Sequence, residues 1–177
     1  MNETYKVQVQ GLVDDLKAVF THAGLGGEAG EYKLLAQSFL YKFLNDKFLY
    51  QAKVLDESNT YENLLAMSEE DYDWLLEDIG TSTAWLKPDQ LIETLHRQQN
   101  ESSFYETFEN TLNQIAIDNN DIFSVHTDGD TAIRLFDERL ITDTISDSSK
   151  RNEVAKAIIN LLARVKFDES IFSQGFD

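Results

Sequence analysis

The sequence predicts a mainly α protein: a single multi-helix, bundle-like domain with a short hairpin or extended loop near residues 121–136. Three observations carry this. One proline and eight glycines in 177 residues leave few chain breakers. The stretch Leu34–Tyr50, LLAQSFLYKFLNDKFLY, is apolar over most of a helical circumference, interrupted only by a narrow polar stripe of Ser38, Lys42 and Asn45. Helix-start and helix-stop residues also recur along the chain at the expected offsets. No repeat, linker or low-complexity run divides it, so one domain is expected over 1–177.

The first helix is expected from Glu3 or Thr4 to about Thr21, with Leu12, Val13, Leu16, Val19 and Phe20 on its inner face, ending in the loop GLGGEAG. A helix from about Glu31 to Val54 follows. Its wide apolar arc requires neighbours on most sides, making it the central post, with Phe43 at an enclosed position. Asn59 with Glu62 resembles a capping box and opens a short helix through Met67. Ser68 opens the next, EEDYDWLLEDI, whose early acids suit the positive end of the helix dipole, and Gly80 lies just past it. Pro88 suits the first turn of a helix through about Gln99. Ser103 with Glu106 is a second capping box, before FYETFENTLNQIAID. Asp128-Gly129, between IFSV and TAIRL, marks the turn of the hairpin or loop. LFDERLITDTI forms a helical turn or two. A last amphipathic helix spans about Ser149 to Val165, burying Val154, Ile158, Ile159 and Leu162.

Composition excludes several classes. With 42% hydrophobic residues, eleven Phe and seven Tyr, the chain can build a real core. No run approaches the ~18 apolar residues of a membrane span, and the N-terminus has no signal-peptide pattern, so no membrane partner and a cytoplasmic location are expected. The chain has no cysteine, which rules out disulfides, thiolate chemistry and zinc–cysteine sites. His22, His96 and His126 lack metal-ligand spacing. Asp128 and Asp130 flank Gly129 without the calcium-loop ladder, so a turn is the reading there. GLGGEAG lacks the Gly-Lys-Ser/Thr ending of a phosphate loop and follows no strand. No catalytic, cofactor-binding or metal residue is assigned. Trp74 and Trp85, with Tyr72, Phe104, Tyr105 and Phe108, could stack an extruded base, although rings at helical spacing more often fill a core.

The net charge is −17. DNA binding draws on Lys and Arg at phosphates, so the chain as a whole is poorly suited to hold DNA alone. Between Ser148 and Phe167, however, Lys150, Arg151, Lys156, Arg164 and Lys166 face the single acid Glu153. That is a local charge of +4, leaving −21 elsewhere. These five are the candidate DNA contacts. They do not share one helical face; Lys150 and Arg164 lie within about 40° on an ideal wheel. The acidic run Glu69–Asp78 reads as a solvated helix face, or as a surface that meets a basic partner.

SFLYKFLNDKF, with FSVHTDGDTAIRLFDE (Phe123–Glu138) and the tail FDESIFSQGFD (Phe167–Asp177), resembles the N-terminal domain of the modification (M) subunit of type I restriction-modification systems, the adenine-N6 DNA methyltransferases. The resemblance runs over essentially the whole chain and rests on patterns of apolar and polar residues. It implies a helical domain that closes around DNA and contacts other subunits, and the tail resembles the lead-in to a catalytic domain that would follow Asp177. It implies S-adenosylmethionine as cofactor of the intact protein, with none in this chain. Implied partners are a specificity subunit, a second modification subunit, a restriction subunit and double-stranded DNA. The family's Asn-Pro-Pro-aromatic motif cannot occur here, because the sole proline, Pro88, lies between Lys87 and Asp89, and the cofactor-binding glycine motif is also missing. This stretch would therefore not be an enzyme by itself, although its parent would. The alternative from a different class is an acidic protein-interaction or DNA-mimic protein without enzymatic activity.

Overall fold

The computed structural model describes residues 3–123, 135–167 and 169–173. They form α1 (Glu3–His22), α2 (Ala29–Leu55), α3 (Tyr61–Ala66), α4 (Glu69–Ile79), a 3-10 turn (Pro88–Gln90), α5 (Ile92–Arg97), α6 (Phe104–Asp118), α7 (Asn120–Phe123), α8 (Leu140–Thr144), α9 (Ser148–Arg164) and α10 (Ser170–Ser173). The protein is mainly α, with no strand among the described residues. The hairpin or loop expected near 121–136 falls largely on residues 124–134, outside those described. At its edges lie α7 and a bend at 135–136. His126 and Asp128–Asp130 fall in the same gap.

α2 is enclosed as its pattern predicts: no residue from 37 to 52 is exposed. It packs on α1, α4, α8 and α9, while α9 packs on α1, α2, α5, α6 and α8, so the two helices share the centre. The inner faces deliver Leu12, Leu16 and Phe20 from α1, Tyr41 and Phe48 from α2, Phe104, Phe108 and Leu112 from α6, and Ile158, Ile159 and Leu162 from α9. α8 comes so close to α2 that a Cβ on Gly30 would sit 2.5 Å from Thr144 Cγ2. Phe43 is only half-buried, lying 5.6 Å from the Phe172 ring of α10, whereas Tyr41 and Phe48 are fully enclosed.

The polar stripe of α2 is buried rather than solvent-facing. Ser38, Lys42 and Asn45 are at most 4% exposed. Asn45 accepts from the Ile92 amide at 2.9 Å, and Tyr41 donates to the Gln90 carbonyl at 2.6 Å. These bonds interrupt the helix expected from Pro88 to Gln99. The chain makes one 3-10 turn, extends at Leu91 (φ −71°, ψ 145°), and restarts at Ile92 because acceptors and donors on α2 satisfy its backbone there.

Two caps differ from expectation for the same kind of reason. Thr60, not Asn59, caps α3, its hydroxyl accepting from Asn63 N; the Asn59 side chain instead donates to the Ala52 carbonyl of α2. Ser103 makes no cap bond and sits in the left-handed region at φ 57°, while Asn152 of α9 accepts from the Tyr105 amide at 3.0 Å. Ser68 does cap α4, accepting from Asp71 N at 3.1 Å, and Gly80 ends that helix at φ 64°.

Candidate nucleic-acid interface

α9 starts where Asp147 accepts from the amide and hydroxyl of Ser149, a bond pair that holds the Asp147 carboxyl below its ordinary range. Four of the five basic candidates, Lys150, Arg151, Lys156 and Arg164, lie on this helix and differ in exposure and partners. Lys150 is exposed in the first turn and lines an apolar groove of about 530 Å³ against α1, beside Val19 and His22. Arg164 is exposed in the last turn, 3.9 Å from Asp15 of α1. Lys156 is half-buried. Arg151 is engaged internally: Nε donates to the Ile145 carbonyl at 2.8 Å, Nη2 to Thr142 at 3.4 Å, and the guanidinium lies over the Tyr105 ring at 5.7 Å. Two of its five donors fasten the turn between α8 and α9, which ties the guanidinium to its own fold.

Lys166 lies beyond α9 and lines a second cleft of about 320 Å³ between α2, α5 and the segment after α9. Lys42, Lys53 and Lys166 line it together with Asp46, Glu93 and Glu169, three cations against three carboxylates, so it has no net attraction for a polyanion. The five candidates are thus not one patch. Lys150 and Arg164, both exposed along the α1–α9 side, are the pair best placed to meet phosphate, and Asp15 competes for one of them.

A buried ionic site forms at Lys42, which periodicity marked only as polar. Its Nζ donates to the Val165 carbonyl, pairs with Asp46 Oδ2 at 3.0 Å, and sits 5.4 Å from the Phe167 ring centroid. Burial pushes the amine below its ordinary range, Asp46 opposes the shift and Lys166 adds to it. The i,i+4 spacing of Lys42 and Asp46 inside an otherwise apolar helix was a readable signal for a buried pair. The same segment is held by Gln8, which donates to the Lys166 carbonyl at 2.7 Å, and by Tyr5 and Phe39, whose rings lie 5.6 and 5.9 Å from Phe167. This arrangement grips a stretch of chain, fastening the segment after α9 to α1 and α2.

The aromatic residues considered for base stacking do not assemble. Tyr72, Phe104 and Phe108 are core, Trp85 donates from its indole to the Gly80 carbonyl, and Trp74 stands apart at 61% exposed. Among the described residues no group of three or more His, Asp or Glu side chains is placed to hold a metal ion, and no helix is long and apolar enough to cross a membrane. Compared with known protein families, curated proteins and solved structures, the chain matches none.

Proposed function

We propose that this chain is the N-terminal helical domain of a type I modification subunit, serving to clamp DNA and to contact the other subunits of the assembly. One observation supports the reading above the rest: the described parts of the stretches that carry the resemblance meet on one helix. SFLYKFLNDKF is the body of α2. Toward its N-terminal side, Gln37 accepts from the Asp137 amide and Lys33 pairs with Asp137, at the end of the second stretch. Around its middle, Phe39 and Phe43 pack on Phe167 and Phe172 of the third. In this reading α2 is the spine on which a lead-in segment is seated, and a rigid seat would fix how a following catalytic domain is presented to DNA.

The division of labour follows from charge. A domain carrying −21 outside one segment repels a duplex over most of its surface, so DNA contact is confined to the α1–α9 edge and depends on the other subunits for most of its affinity. In this reading the S-adenosylmethionine site belongs to the catalytic domain that would follow.

The test is reconstitution. The coding sequence downstream of Asp177 is read for an Asn-Pro-Pro-aromatic motif, and the encoded subunit is assembled with its specificity subunit. Deleting residues 1–177 should abolish DNA binding and adenine-N6 methylation while cofactor binding persists. Full methylation without the domain sinks the reading. A coding sequence without that motif favours the acidic interaction protein instead.

A further inference from the structure

We propose that the outer face of α4 is a docking surface for a basic segment of another protein, with Trp74 as its anchor. The inner face of α4, Tyr72, Leu75, Leu76 and Ile79, is buried against the body of the domain. The outer face carries Trp74, 61% exposed, and six exposed acids, Glu69, Glu70, Asp71, Asp73, Glu77 and Asp78. Four of these occupy every helical neighbour position of the indole: Glu70 and Asp71 at i−4 and i−3, Glu77 and Asp78 at i+3 and i+4. Side chains at such spacings start about 5–6 Å apart, so the ring is framed by carboxylates above and below.

No cation within the described residues neutralises this charge. None of the six acids has an ion-pair partner among them, and the last turn of α4 contains no base. Glu77 and Asp78 also stand at the negative end of the helix dipole, where acids are unfavourable. Early acids stabilise a helix; late ones do not, so helix formation accounts for only half of the pattern.

Charge complementarity selects the occupant. An indole ringed by carboxylates suits an arginine or lysine side chain, whose stem packs on the ring while its cationic head reaches the acids. Tryptophan is also among the residues that most often dominate a protein interface. DNA and anionic membranes are repelled by this face, and a second copy of a chain at −17 brings the wrong sign over all but its Ser148–Phe167 segment. The surface is independent of the methyltransferase reading.

The full chain is titrated with a synthetic peptide of repeating Ala-Ala-Arg units at about physiological salt, ~0.15 M. The two indole N–H signals are followed by NMR, since the chain has two tryptophans. Trp74 should shift saturably while Trp85, bonded to the Gly80 carbonyl, stays still and reports an intact fold. Trp74→Ala, and separately Glu70→Gln with Asp71→Asn, Glu77→Gln and Asp78→Asn, should each weaken binding about tenfold, as loss of an anchor does. The control Asp14→Asn with Asp15→Asn on α1 should change it by less than about twofold. Equal weakening by the α1 control, or unchanged affinity in Trp74→Ala, overturns the proposal.

Discussion

Lys42 reaches from the middle of α2 to the backbone carbonyl of Val165, 123 residues further along the chain, and pairs with Asp46 one turn away. The lysine is 4% exposed and Asp46 is largely covered, so the pair sits where desolvation is costly and both charges need each other. It connects the helix with the strongest sequence signal to the segment that follows α9.

Removing only the cation should be severe. Lys42→Met leaves Asp46 without its partner and frees the Val165 carbonyl, and should lower unfolding free energy by about 3 kcal/mol. Adding Asp46→Leu should restore part of that loss. Urea unfolding of both variants measures it, and a single-variant loss below about 1 kcal/mol would mean the pair is open to water.

Enclosure separates two phenylalanines on the same helix. Phe48 is fully buried and Phe43 only half-buried against Phe172. Phe48→Ala should cost about 3–5 kcal/mol because a ring-sized cavity cannot collapse completely, whereas Phe43→Ala should cost markedly less, about 1–2 kcal/mol. Equal losses would show that the α10 contact encloses Phe43 as fully as the core does Phe48.

Two serines read alike from sequence should respond oppositely. Ser68→Ala removes a cap that accepts from Asp71 N and should destabilise by about 1 kcal/mol. Ser103 has φ 57° and no cap bond, so Ser103→Gly relieves a left-handed conformation and should stabilise by up to about 1 kcal/mol. Thermal or denaturant midpoints decide both signs.

Tyr41 and Tyr72 donate their hydroxyls to the Gln90 and Leu86 carbonyls, and burial, with Asp89 adding, raises both phenols above the ordinary tyrosine value. Above about pH 10 the unfolded chain loses these protons while the folded chain keeps them. Their contribution is therefore present below about pH 10 and lost as pH rises toward the folded values. Phenolate absorbance from these two should grow only as helical circular dichroism falls. Ionisation of all seven tyrosines with the helical signal intact would contradict this.

In the intact assembly, Lys150→Glu with Arg164→Glu should weaken DNA binding and flatten the salt dependence by about two in log–log slope, near one per lost phosphate contact. Wild-type affinity and slope in that double variant would assign the basic segment a structural role. Arg151→Glu should instead destabilise the fold, because it leaves the Ile145 and Thr142 carbonyls without their donor.

The sequence by itself determined what short-range physics decides. Apolar periodicity located α1, α2, α4, α6 and α9 to within a few residues, and Ser68 and Gly80 bounded α4 because a cap and a positive-φ stop act within one turn. It also revealed the concentration of basic residues around α9 and the acidity of α4. Only the tertiary structure decided which polar groups are buried and which cap is used. Asn45 breaks the chain at Leu91, Asn152 replaces Ser103, and Lys42 holds Val165. Each partner is dozens of residues away in sequence, so no local window contains it. The same cause scattered the candidate interface. Arg151 and Lys150 are neighbours in sequence, yet a helix turns about 100° per residue. One therefore faces carbonyls of its own fold and the other faces solvent.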